Sequence, residues 1–162
     1  MGKKLDAVYT SPRLRAQQTA EILARETGVE SEIAPELDEI DFGGWSGRSF
    51  EELERDPAWK RWNEERDTAE TPAGDTMAAT AARITGFMDR LRGEYPGNTF
   101  VLVSHSDVIK AALCQTFGIP FSSVHDFEIA PASITTLSFD KDGPSLVSRN
   151  IEAVRLTVGG IA

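Results

Sequence analysis

Cysteine and histidine are both scarce in this chain of 162 residues, which holds one cysteine and two histidines. Cys114 has no intrachain partner, so a disulfide framework is excluded and a reducing compartment is the default. No Cys or His spacing suits a zinc site, and no metal or cofactor is expected. Long apolar runs are also missing: none approaches the roughly eighteen residues of a membrane span. Met1-Gly2-Lys3-Lys4-Leu5-Asp6 leads into Ala7 without a signal stretch, and Asp6 stands where a myristoylation motif needs Ser or Thr. The expectation is a cytoplasmic protein with no membrane partner. Basic residues are outnumbered, 17 Lys and Arg against 26 Asp and Glu, leaving a net charge of −9. That field repels nucleic acid, so no nucleic-acid partner is expected. A small anion can still be held locally, since at about 0.15 M salt charges beyond roughly 8 Å are screened. The phosphate-cradling lysine motif of nucleotide-driven enzymes is absent as well.

What is present reads as alternating strands and helices. Ala7 to Thr10 is a short β-prone run closed by Ser11-Pro12, a capping residue followed by the residue best tolerated at a first helical position. The helix that follows runs to about Thr27-Gly28, with Leu14, Ala16, Ala20, Leu23 and Ala24 as its apolar stripe. Pro35 to Gly47, rich in acids and glycine, reads as a loop. Ser49-Phe50-Glu51-Glu52 has the spacing of a capping box, and Asp56-Pro57 opens a second short helix carrying Trp59 and Trp62. After a polar link from Arg66 to Gly74, Met77, Ala81, Ile84, Met88, Leu91 and Tyr95 recur at helical spacing, and Pro96-Gly97 ends the run. Phe100 to Val103 has the near-continuous apolar character of a strand covered on both faces, and a helix from Ser106 to Gly118 follows. Ile134 to Phe139 and Leu146 to Arg149 read as a hairpin around Asp142-Gly143. The tail to Ala162 has no clear assignment. This order favours an α/β domain with a mainly parallel sheet flanked by helices.

Ligands of such sheets bind beyond the carboxyl ends of the strands, which singles out Thr10 to Arg15 and Ser104 to Asp107. Arg15 lies one turn into the first helix, where helical side chains lean back toward the amino end. His105 stands where the second strand stops, with the leading amides of the next helix, from Ser106 on, close behind. That combination suits a phosphate. Taken singly, Arg15 reads as a solvated helix charge and His105 as either a ligand contact or a strand-end packing residue. Asp38, Glu39 and Asp41 read as ordinary loop acids, although a neutral carboxyl near a leaving-group oxygen could act as a general acid.

Four runs carry a family resemblance. Thr10-Ser11-Pro12-Arg13-Leu14-Arg15-Ala16-Gln17-Gln18-Thr19-Ala20 resembles a signature of the histidine phosphatase superfamily, also called phosphoglycerate mutase-like. Leu37 to Gly47 is similar to its acid-bearing loop, Pro72 to Thr76 to its link into the long helix, and Val103 to Ile109 to its second-histidine motif. The order is right and nearly the whole chain is covered. The resemblance implies a phosphoglycerate mutase-like fold and chemistry on phosphomonoesters through a phosphohistidine. It makes Glu39 the proton donor, His105 the second pocket histidine and Arg15 a pocket arginine; with the helix-start reading, the expected catalytic residues are Glu39 and His105 and the phosphate-binding ones Arg15, His105 and Ser106. The acidic field favours a small phosphorylated metabolite over a phosphoprotein as the partner.

The family opens with a strand ending in Arg-His-Gly, whose histidine receives the phosphoryl group, and no Arg-His-Gly occurs in these 162 residues. The resemblance therefore implies a single domain over residues 1–162 that is amino-terminally incomplete, lacking its first strand and helix, on the order of fifty residues. His125, in a loop, is not expected to replace the nucleophile. Little activity is expected of the chain alone, and an interior strand left out predicts a homodimer or strand exchange. Two alternatives remain: an ordinary phosphomonoesterase whose start lies upstream, and a non-catalytic phospholigand-binding or protein-interaction module. Asp107 stands where many relatives have glycine, and is expected to point away from a bound dianion or to meet a cation. Asp75-Thr76 replaces a common Glu-Ser. A serine hydrolase is disfavoured, because the neighbours Ser104 to Asp107 cannot converge as a triad.

Overall fold

The computed structural model describes residues 4–152, so Met1-Gly2-Lys3 and the tail from residue 153 lie outside the described residues. The described residues fall into two compact units, divided between Phe127 and Glu128.

In the first unit, β1 (Ala7–Thr10) is followed by α1 (Leu14–Thr27), β2 (Ser31–Ile33), α2 (Phe50–Glu54), α3 (Pro57–Glu64), α4 (Met77–Glu94), β3 (Phe100–Val103) and α5 (Ser106–Phe117). The three strands form a parallel sheet in the order β2-β1-β3, with Tyr9 opposite Glu32 on one side and Leu102 on the other. Parallel pairing needs a crossover between strands, and the helices supply it. β2, with only one partly buried residue of three, is a strand the sequence pattern does not announce. It forms because β1 offers its edge. All four residues of β3 are partly rather than fully buried, in contrast to the expectation of cover on both faces. Among the described residues β3 pairs with β1 alone, and an edge strand is less enclosed.

Start and stop signals explain most boundaries, with one correction. α1 begins at Leu14, two residues later than the Ser11-Pro12 reading, and its capping residue Arg13 makes no side-chain cap bond. Ser11, just past the end of β1, stays bonded to the sheet instead, its N–H donating to the Val103 carbonyl at 2.9 Å. Ala16 and Ala20 are buried as expected, whereas Leu14 is 69% exposed. Gly28 ends α1 in the left-handed conformation that glycine tolerates best. The capping box at Ser49 and Glu52 forms as read, Asp56 caps α3 through the Ala58 amide, and Thr76 caps α4 through the Ala79 amide.

The core is built largely from α4 and α5. Met77, Ala81, Ile84, Phe87 and Leu91 of α4 and Val108, Ala111, Ala112 and Cys114 of α5 are buried in one cluster. Phe87 takes a place in the stripe that the spacing assigned to Met88, and meets Tyr9 edge to face at 5.3 Å. Tyr95 lies outside it, 47% exposed at the end of the helix. Trp45, Trp59, Trp62 and Phe42 stack with centroids 5.2 to 6.5 Å apart, packing the segment after β2 onto α3. The expected loop from Pro35 to Gly47 is more ordered than its composition suggests. It holds two 3-10 turns, Pro35–Leu37 and Gly43–Trp45, with Leu37, Ile40 and Trp45 buried.

The second unit contains an antiparallel hairpin of β4 (Ser133–Asp140) and β5 (Gly143–Glu152), longer at both ends than the sequence reading. Its turn is fastened by the Asp142 amide donating to Asp140 at 2.9 Å. Among the described residues no helix is long and apolar enough to cross a membrane.

Candidate functional site

The site assembles at the carboxyl ends of β1 and β3. The register sets Thr10 opposite Val103, so the residues leaving the two strands, Ser11 and Ser104-His105, emerge side by side. Ser104 fastens the segment after β2 across this end, donating its hydroxyl to the Leu37 carbonyl at 2.8 Å. Asp38 and Glu39 follow directly. Two chain segments distant in sequence are thus brought to one place by strand pairing and a single hydrogen bond.

Arg15, Glu39 and His105 converge. The Arg15 Nη2 lies 3.3 Å from Glu39 Oε2 and 2.9 Å from His105 Nδ1, and His105 Nδ1 lies 3.5 Å from the same carboxylate oxygen. Side-chain exposure grades across the trio, 64% for Arg15, 20% for Glu39 and 4% for His105, so the imidazole forms the floor and the guanidinium the rim. Ser106, the first residue of α5, is exposed and follows His105 at the helix start, where leading amides lack intrahelical partners. His125 is elsewhere: it is exposed, with Nε2 3.0 Å from the Asn63 carbonyl.

The electrostatics separate the roles of the two titratable groups. Burial, with the nearby Arg15 charge adding to it, lowers His105 from an ordinary 6.5 to about 4, against the attraction of Asp38. The ring is neutral near pH 7. Burial raises Glu39 above the ordinary carboxylate range, and the charge of Asp107 pushes the same way, while the Ile40 amide, Arg15 and Arg13 oppose it. Asp38 moves oppositely. Its burial is outweighed by hydrogen bonds from Arg13 and from the Glu39 amide, which hold it below the ordinary range. Two neighbouring acids of one loop are therefore shifted in opposite directions, Glu39 toward holding its proton more tightly and Asp38 toward the anion.

Sequence reasoning missed Ser11 and Asp38 as members of this network. Ser11 is fully buried, with Oγ 2.8 Å from His105 Nε2, 3.2 Å from the Arg13 amide and 3.4 Å from Asp38 Oδ1. Asp38 also accepts from Arg13 Nε at 2.6 Å and from the Glu39 amide at 2.7 Å. The available signal was position, since Ser11 leaves the strand that neighbours the one ending at His105.

The supports are equally specific. Asp107 meets a cation, as expected, in the buried Arg66, whose Nη1 lies 3.0 Å from Asp107 Oδ2. Arg66 stacks on Trp62 at 4.5 Å and donates to Asn63 at 3.2 Å, so α3 is tied to the start of α5. Asp75 accepts the Asp41 amide at 2.8 Å and Thr71 donates to the Asp41 carbonyl at 2.6 Å, binding the link before α4 to the acidic loop. Among the described residues no cluster suited to a metal ion occurs.

The sequence profile described as Histidine phosphatase superfamily (branch 1) matches residues 1–152. Phosphoserine phosphatase 1 of Hydrogenobacter thermophilus is 31% identical over 149 residues, covering 91% of this chain and 71% of that protein. A bifunctional protein of Mycobacterium tuberculosis is 34% identical over 144 residues, 87% of this chain but only 39% of its own length. Among solved structures, phosphoserine phosphatase of Entamoeba histolytica in complex with 3-phosphoglyceric acid superposes with a TM-score of 0.81 at 29% identity, covering 91% of this chain and 74% of that one. A Bacillus stearothermophilus structure shares the fold with a TM-score of 0.85 at 22% identity over 93% and 76% of the two chains.

Proposed function

The chain belongs to the histidine phosphatase superfamily, and from that premise we propose that its strand-end site binds the phosphoryl group of a small phosphorylated metabolite. Arg15 supplies paired donors to phosphoryl oxygens, His105 lies beneath them, and the opening amides of α5 at Ser106 add the positive end of a helix. Glu39 is the proton donor to a leaving alkoxide, a task that suits a carboxyl raised above its ordinary range. The single observation supporting this reading is the convergence of Arg15, Glu39 and His105 within 3.5 Å of one another. The names of the phosphoserine phosphatase relatives and the bound 3-phosphoglyceric acid of one of them support the substrate class.

These 162 residues contain no Arg-His-Gly. Their two histidines are committed, His105 to Arg15 and Ser11, His125 to the Asn63 carbonyl. We therefore assign the chain by itself phosphoryl binding without efficient turnover, since removing a nucleophile from an assembled site costs on the order of 10⁶ in rate. The same observation favours a second reading, a phospholigand-binding module. Calorimetry with inorganic phosphate and an assay with an aryl phosphate test both. Binding is expected, weakened roughly tenfold to a hundredfold by Arg15→Ala, the scale of one lost charged hydrogen bond. Absence of binding heat overturns the pocket. Turnover that His105→Ala abolishes overturns the inactivity.

A further inference from the structure

We propose that Ser11 and Asp38 are positioning residues for His105: together they take up its Nε2–H, leaving Nδ1 as the ring nitrogen presented to the ligand. The nature of that ligand rests on the phosphoryl reading above, whereas the orientation of the ring rests on geometry alone.

The direction of each hydrogen bond follows from donor counting. A guanidinium only donates, so Arg15 Nη2 at 2.9 Å requires a lone pair on His105 Nδ1. A neutral ring then carries its hydrogen on Nε2, which donates to Ser11 Oγ at 2.8 Å. The Arg13 amide donates to the same oxygen at 3.2 Å, filling its second acceptor position. The Ser11 hydroxyl hydrogen therefore points to Asp38 Oδ1 at 3.4 Å, a carboxylate itself fixed by Arg13 and by the Glu39 amide. Every donor of this chain has one acceptor, and Ser11 is fully buried, so water does not compete for it.

The consequence concerns protons. The oxygens of a dianionic phosphomonoester accept and do not donate, so when one takes over the Arg15 hydrogen bond, Nδ1 can bind it only after His105 takes up one proton from bulk solvent. The resulting imidazolium faces Arg13 and Arg15 at the start of α1 and Arg83 of α4, which oppose it. Asp38 and Glu39 of the loop and Asp107 of its own helix are the acids on this side. The relay through Ser11 joins the imidazolium to the Asp38 anion. Ligand binding is then coupled to proton uptake.

The test uses the whole chain with ¹⁵N-labelled histidine. In the free protein the ring proton is expected on Nε2 and protected from solvent, and Ser11→Ala is expected to speed its exchange by about tenfold or more, the loss of one buried hydrogen bond. A proton on Nδ1, or an unchanged exchange rate, overturns the proposal. Saturation with the dianion of an aryl phosphate, which carries no P–O–H hydrogen, is expected to raise the His105 titration, and Asp38→Asn, which keeps an acceptor but removes the charge, to lower it again by about one unit. Equal titrations in Asp38→Asn and the parent chain overturn the role of Asp38. If the aryl phosphate leaves the His105 signals unmoved while the free-state results hold, the phosphoryl reading fails and the positioning of the ring stands.

Discussion

At the residue scale, the neutral state of His105 links the site to stability. Its titration falls from 6.5 to about 4 on folding, so between those values the unfolded chain binds more protons than the folded one. Stability is therefore full above about pH 6.5 and declines as pH falls toward 4, by up to about 3 kcal/mol from this group. Glu39, raised on folding, acts in the opposite sense. Comparing the parent with His105→Gln isolates the histidine: urea unfolding at neutral and acidic pH is expected to show the shallower decline in the variant. Whenever Glu39 is ionised its charge has a second effect, opposing the anion that the proposed reading places at Arg15. With both groups ionised, Glu39→Gln is expected to tighten inorganic phosphate roughly tenfold by calorimetry, a modest share of the repulsion between charges about 5 Å apart.

At the element scale, the site depends on loops that behave as parts of the core. Gly43 has φ +52°, and a Cβ there would sit 2.7 Å from the Ala73 amide nitrogen, so the acidic loop and the link before α4 touch backbone to backbone. Gly43→Ala is expected to cost about 1 to 3 kcal/mol in chemical denaturation. The Arg66 pair with Asp107 performs the matching task at α5. Arg66→Ala strands a carboxylate beside Glu39 and leaves a void against Trp62, and is expected to destabilise by about 3 kcal/mol, whereas Asp107→Asn costs less because an amide still accepts from Arg66. The short helices were legible because Ser49-Glu52 and Asp56-Pro57 encode their starts in adjacent residues. β2 was not, since three residues with little apolar character acquire a strand only from the edge of β1. Ser11 was misread for a related reason: Ser-Pro is a local helix-start signal, but the Val103 carbonyl claims its amide for the sheet.

At the scale of the whole molecule, the first unit carries a three-stranded parallel sheet in which, among the described residues, β3 pairs on one side only. Such an edge is a template for another strand. Sedimentation over a range of concentrations is expected to show self-association of the 162-residue chain, and a monomer at all concentrations would refute this. The net charge of −9 surrounds a site whose floor and rim hold a histidine and two arginines, so on the proposed reading a phosphorylated ligand meets local donors within a field that repels it. Raising the salt concentration should therefore change the association rate more than the affinity.

The amino-acid sequence alone determined the alternation of strands and helices, the caps and the amphipathic stripe of α4, and it singled out Arg15, Glu39 and His105 as candidates, because these depend on period, on neighbouring residues and on runs that carry a family pattern. Only the tertiary structure decided the opposite shifts of the neighbouring acids Asp38 and Glu39, and which partner each ring nitrogen of His105 meets. Those properties come from burial and from partners up to 94 residues away in sequence, brought within hydrogen-bond distance by the pairing of β1 with β3, and no local pattern encodes a desolvation that the rest of the chain imposes.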